Sequence, residues 1–172
     1  GFGSHSQPPG TWSDDSSLTF CLAEALIKGY DLDAIGHNLV KWYSNAYWTA
    51  GGEIFDIVKG TDEAIVRLST GTKPELSGDT SASSNGNGSL MRILPLVFRL
   101  MSKSLTERFE ITRQVSSVTN GHIRSIISCF YYLEFARQIL EGREKYDIYR
   151  DIRKVVSGHL SALLIDPAEV LV

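Results

Sequence analysis

The sequence predicts an all-α protein, a compact helical bundle of about six or seven helices. Three observations carry that prediction. Apolar residues recur at i, i+3 and i+4 through most of the chain, the spacing of one helix face. Helix start and stop signals bracket those stretches at short intervals. No segment alternates apolar and polar residues as a half-buried strand does, and no internal repeat is present.

Residues 1–12 are rich in Gly, Pro and Ser and read as loop. The first helix is predicted from about Asp15 to Lys28, stopping at Gly29, with Leu18, Cys21, Leu22, Ala25 and Leu26 on one face. A second begins near Asp31 and turns Leu32, Ile35, Leu39 and Trp42 inward, with Tyr43 beside them. Gly51-Gly52 marks a break, and residues 53–59 are ambiguous between a helical turn and an extended piece. Thr61 reads as the cap of a third helix, with Asp62 and Glu63 in its first turn and Gly71 beyond its end.

Residues 72–89 hold few apolar side chains, and a loop that long is functional or disordered. It leads into Leu90–Phe98, nearly all apolar, which reads as a buried helix kinked by Pro95 where the ring frees the Met91 carbonyl. Ser104-Leu105-Thr106-Glu107 has the form of a capping box and opens a helix to about Val118. The turn-like Thr119-Asn120-Gly121-His122 precedes a long helix ending at Gly142, and a last helical pattern covers about Tyr146 to Leu164.

At 172 residues the chain is long enough for one domain. A net charge of −3 without a Lys/Arg block argues against a nucleic-acid binder that works by neutralising phosphates. No apolar run approaches the ~20 residues of a membrane span, and no signal peptide is visible, so a cytoplasmic protein with no membrane partner is expected. The two cysteines, Cys21 and Cys129, lie in apolar helical patterns and read as buried thiols.

Chemistry concentrates in three places. Ser13, Asp14 and Asp15 gather a hydroxyl and two carboxylates where the first helix begins. They suit either a hard cation of the Mg²⁺ type or an ordinary helix cap favoured by the dipole. Asn85-Gly86-Asn87-Gly88 tolerates positive φ, so consecutive amides can converge on a phosphate at the start of the following helix; a plain turn is the alternative. Asp56, between Phe55 and Ile57, is paired, functional or turned to water. His122 opens a long helix as a cap or a ligand contact, and Trp12, Trp42 and Trp48 read as packing residues.

Taken in order, Gly10-Thr11-Trp12-Ser13-Asp14-Asp15-Ser16, then Phe55-Asp56-Ile57, then Ser84-Asn85-Gly86-Asn87-Gly88-Ser89-Leu90-Met91-Arg92-Ile93-Leu94-Pro95-Leu96 resemble the ADP-ribosylglycohydrolase family, of the dinitrogenase-reductase-activating glycohydrolase type. The resemblance runs through nearly the whole chain. It implies an all-α fold, a pair of Mg²⁺ or Mn²⁺ ions, and hydrolysis of the glycosidic bond between ADP-ribose and a protein side chain or small leaving group. It further implies Ser13, Asp14 and Asp15 as metal ligands and Asp56 as a catalytic carboxylate at the reacting ribose. The loop of Ser84, Asn85, Gly86, Asn87 and Gly88 would cradle the diphosphate, with Met91 behind it and Asn120 and His122 beside the ligand. The partner implied is ADP-ribose or an ADP-ribosylated protein.

The chain departs from the family pattern in three respects. Val58 replaces a glycine after Phe55-Asp56-Ile57, and Asn120 stands where the family commonly has a histidine. The family's G-D-A-x-G and D-x-D-T segments, which carry the remaining metal ligands, are not found, and Leu171-Val172 ends the sequence before the second would come. Residues 1–172 are therefore expected to form a single domain that is a fragment of the family fold, holding half of a binuclear site that binds metal weakly and turns over little on its own. The alternative is a catalytically silent ADP-ribose-binding or structural relative.

Overall fold

In a computed structural model of the chain, Gly3 and residues 5–170 are described, apart from the side chains of Pro167 and Val170. The loop reading at Gly1, Phe2 and Ser4, and the terminal Leu171-Val172, lie outside the described residues. Among the described residues six helices of eleven residues or more form the bundle: α1 (Asp14–Ile27), α2 (Leu32–Asn45), α3 (Lys59–Ser69), α5 (Leu105–Ser117), α6 (Ile123–Leu140) and α7 (Lys145–Ala162). Two four-residue turns of helix, α4 (Val97–Leu100) and α8 (Pro167–Val170), complete them. Among the described residues the only β pairing is an isolated bridge between Asp79 and Asn120.

Two apolar clusters make the core, and α6 is the wall between them. On one side Cys129 and Leu133 pack with Leu18, Leu22, Leu39 and Trp42 of α1 and α2. On the other, Ile126, Ile127 and Phe130 meet Phe109 of α5 and the inner stripe of α7, including Ile148 and Val156. A buried ion pair fastens α5 to α6: the Arg108 guanidinium donates to both Glu134 carboxylate oxygens, at 2.9 Å to Oε2.

Local signals place most helix ends as expected. Asp31 caps α2, its carboxylate accepting from the Asp33 and Ala34 amides, and Ser104 and Glu107 form a complete capping box on α5. Two expectations are corrected. Helix α3 starts earlier than Thr61: Val58 is its N-cap, and Thr61 lies inside the first turn, buried. The Leu90–Phe98 run is buried in part but is not one helix. It makes turns through Arg92, then a 3₁₀ turn at Leu94–Leu96, then α4. Pro95 has no amide to donate and its ring crowds the preceding turn, and here the helix is broken rather than kinked, with Pro95 in the first positions of the 3₁₀ turn.

The segment 72–89 is tied down rather than loose. It contains short 3₁₀ turns at Pro74–Leu76 and Ala82–Ser84. The Gly78 amide donates to Ser117 O at 2.7 Å and the Gly121 amide to Asp79 O at 3.0 Å. These bonds lay the loop across the gap between α5 and α6.

Candidate active site

Helix α1 begins at Asp14, and no side chain caps its first amides. Ser13 occupies the N-cap with extended backbone, but its side chain accepts no amide hydrogen bond; its hydroxyl donates to Asp15 Oδ2 at 3.3 Å. Asp15 is exposed, whereas Asp14 is turned inward and only 4% exposed. Its Oδ2 is buried with no hydrogen-bond partner. Burial, reinforced by the charges of Asp15 and Asp56, pushes the Asp14 carboxyl up to about 6.

Asp56 comes to this helix start from the segment joining α2 to α3. That segment is held in unusual backbone: Ala46, Trp48 and Asp56 all have positive φ, at 50°, 56° and 64°. Such conformations cost about 1–3 kcal/mol each and persist where surrounding contacts over-determine them. At Trp48 the contacts are visible. Its carbonyl accepts from Trp12 Nε1 at 3.0 Å, and its ring packs on Phe20 with centroids 5.4 Å apart. Trp12 and Trp48 are thus half-exposed edges of an aromatic group beside the helix start, while Trp42 is core. His5 reaches the Asp56 carboxylate, with Nε2 to Oδ2 at 3.5 Å.

The glycine loop is reached through the same α3 turn that follows Asp56. Thr61 Oγ1, buried and unpartnered, faces Gly88. Both loop glycines have their carbonyls drawn into the protein. Gly86 O accepts from Asn120 Nδ2 and from Ser125 Oγ, each at 3.2 Å, and Gly88 O accepts from Arg92 Nη1 at 2.7 Å. Asn85 and Asn87 stay exposed. No helix starts directly after the loop, so no helix dipole favours an anion there. What remains is a backbone whose carbonyls are occupied on the protein side.

The other expected residues fall as follows. Asn120 is 4% exposed and clamps the loop, accepting from Thr119 Oγ1 at 2.8 Å as it does so. His122 caps α6, with Nδ1 accepting from the Arg124 amide at 3.3 Å. Met91 sits behind the loop, its carbonyl meeting Thr19 Oγ1 of α1 at 3.4 Å. Ser84 is committed elsewhere: its hydroxyl donates to Asp79 Oδ2 at 2.6 Å, which with the Ser81 contacts holds that carboxyl down at about 2. Sequence reasoning missed Thr61, Arg92, Thr119 and Ser125 as parts of the loop support. Only Arg92 left a signal, as a lone charge inside an apolar run.

Two features at the start of α1 bear on whether it could hold a hard cation. Asp14 feels the charges of Asp15 and Asp56, and its inner oxygen is buried without a hydrogen-bond partner. Among the described residues no group of three His, Cys, Asp or Glu side chains is placed to hold a metal ion by itself. Ser13, Asp14 and Asp15 would by themselves be at most a partial shell for an ion that wants about six oxygens.

The fold is an all-helical bundle with a carboxylate-bearing helix start and a clamped glycine loop, and comparison with known proteins gives its family. The ADP-ribosylglycohydrolase family matches residues 1–170, and the chain belongs to that family. Two curated relatives are similar over much of its length, both named ADP-ribosylarginine hydrolase Tri1. The protein from Serratia proteamaculans (strain 568) is 32% identical over 143 residues, 80% of this chain and 38% of the relative. The one from Pseudomonas putida (strain GB-1) is 30% identical over 142 residues, 79% of this chain and 37% of the relative. The alignments thus span under two fifths of the length of these relatives.

Proposed function

We propose that this chain carries the diphosphate-binding loop and part of the metal site of an ADP-ribosyl hydrolase that removes ADP-ribose from modified protein, with Mg²⁺ or Mn²⁺ as cofactor. The observation that carries the reading is Asp14: a buried carboxylate with an open oxygen, set against two further carboxylates. Both relatives are named for ADP-ribosylarginine, and arginine is the modified side chain we take for this chain.

Ser13, Asp14 and Asp15 would hold the metal, which when bound supplies positive charge at the ribose hydroxyls and acidifies water. Asp56 orients the attacking water or stabilises positive charge developing at the anomeric carbon. The glycosidic C–N bond breaks, its electron pair and a proton end on the guanidinium nitrogen, and the water oxygen bonds to the anomeric carbon. The Asn85–Gly88 amides take the diphosphate, with Met91, Asn120 and His122 around them. Two free buried thiols, Cys21 and Cys129, accord with a reducing compartment, and the cytoplasm is the location we propose.

The two departures that favoured a silent relative have structural explanations compatible with activity. Val58 caps α3 at φ −74°, a backbone any residue adopts, so no glycine is needed there. Asn120 acts through its amide as a loop clamp, which requires no titrating group. The test is release of free ADP-ribose from ADP-ribosylated arginine by the full-length protein, with and without Mg²⁺ or Mn²⁺. Binding of ADP-ribose with no release under any metal condition would select the silent relative instead.

A further inference from the structure

Arg92 is fully buried and has no carboxylate partner among the described residues. Its guanidinium donates to Gly88 O at 2.7 Å, to Thr119 Oγ1 at 2.6 Å and to Val115 O at 2.9 Å, while Nε is buried without any partner. Burial lowers it to about 10, so it remains charged at neutral pH. The ionisable group whose charge bears on it is the Cys129 thiol, which burial pushes up and keeps neutral. The C-terminal turn of α5, through Val115 O, offers only a fraction of a charge in compensation. The chain's other deeply buried arginine, Arg108, lies against Glu134. A buried cation costs several kcal/mol unless it is paired. If its three acceptors were all that mattered, a neutral donor would hold them at lower cost.

The loop above it explains the missing charge. Arg92 grips the Gly88 carbonyl, and through Thr119 and Asn120 it is linked to the Gly86 carbonyl as well. We propose that Arg92 is the buried counter-charge of the Asn85–Gly88 loop, so that a nucleoside diphosphate bound over the loop is balanced by a positive charge the chain leaves uncompensated. Arg92 acts through the loop backbone and its charge, as a positioning residue, and does not touch the reacting atoms. The inference rests on reading this loop as the diphosphate site, and it makes diphosphate affinity, rather than bond cleavage, the quantity that Arg92 governs.

The probe is inorganic pyrophosphate, titrated calorimetrically into wild type, Arg92→Lys, Arg92→Gln and Thr119→Val, with adenosine as the uncharged control. Wild type is expected to bind pyrophosphate, and folded R92Q at least about tenfold more weakly, with R92K between them. T119V, which breaks the link but keeps the charge, stays within about threefold of wild type. Adenosine affinity is unchanged throughout. A folded R92Q that matches wild type overturns the proposal, as does a wild type that binds no pyrophosphate. Should R92Q fail to fold, the Arg92 Nε–H resonance of isotope-labelled wild type decides. Its shielded, unpartnered proton must shift on pyrophosphate binding, and binding without a shift overturns the assignment. Loss of arginine-linked turnover with this pattern intact would sink the hydrolase reading and leave the counter-charge standing; a wild-type-like R92Q with turnover intact would do the reverse.

Discussion

Gly88 lies so close to Thr61 that a Cβ on residue 88 would sit 2.5 Å from the Thr61 hydroxyl oxygen, and 3.0 Å from Asn120 Oδ1. The loop, the first turn of α3 and the end of α5 therefore meet where there is no room for a methyl group. Gly88→Ala is expected to destabilise the fold by about 1–3 kcal/mol and to weaken ADP-ribose binding. Thr61→Ala removes the nearer oxygen, so the double variant should recover part of both losses. Urea unfolding and calorimetry on the two single variants and the pair measure that coupling; additive losses would show that the two residues do not meet.

Asp14 makes the metal-free protein less stable as pH rises. Its folded-state pKa, about 6, exceeds the ordinary value of 3.8, so the folded state holds the proton more tightly than the unfolded state. Stability is then highest below about pH 4 as far as this group is concerned, and falls as pH rises through about 6, by roughly 2–3 kcal/mol. Asp14→Asn should flatten that part of the profile and stabilise the protein at pH 7. Excess Mg²⁺ or Mn²⁺ should restore stability to wild type above pH 6 and leave D14N unchanged. Thermal melts across pH, with and without metal, check both signs.

Asp56 separates chemistry from stability because of its positive φ. Asparagine tolerates that backbone at least as well as aspartate, so Asp56→Asn should melt close to wild type while turnover of ADP-ribosylated arginine falls by about 10²-fold or more. Asp56→Ala should lose turnover equally and cost about 1–2 kcal/mol besides, since a Cβ without a polar group to compensate is penalised in the left-handed region. Equal melting points for the two variants would mean that the backbone at Asp56 is relaxed.

Removing Glu134 leaves two arginines facing a vacancy, because its carboxylate accepts from Arg108 and from Arg137. Glu134→Ala is expected to cost about 3–5 kcal/mol, the scale of a broken buried pair. Replacing Arg108 and Glu134 together by apolar residues of similar size should cost much less. Denaturant titration of the single and double variants distinguishes a desolvated pair from a surface contact.

The helices were legible in the sequence because their signals are local. The capping box at Ser104 and Glu107 spans four residues, and the inner faces of α1 and α6 follow from spacing alone. The clamped loop was legible as a motif, but its support was not. Thr61, Thr119 and Ser125 are ordinary polar residues in sequence, and only chain crossings bring them to the support of Gly86 and Gly88. Leu90–Phe98 was legible as an apolar run, yet its backbone is set by Pro95 and by the need of Arg92 to fold back on Gly88, so it could not be read as turns.

By itself the sequence determined an all-helical chain and the three short motifs that mark its family, because periodicity and motif identity need no knowledge of distant contacts. What Ser13, Asp14 and Asp15 do at the start of α1 was left open, since a helix cap and a cation site call for the same side chains. Tertiary structure decided the geometry. It turned Ser13 away from capping, buried one oxygen of Asp14 without a partner, and brought Asp56 near enough for its charge to be felt. The physical reason is that burial and mutual repulsion are properties of how segments pack, and neither is written in the order of residues along one helix.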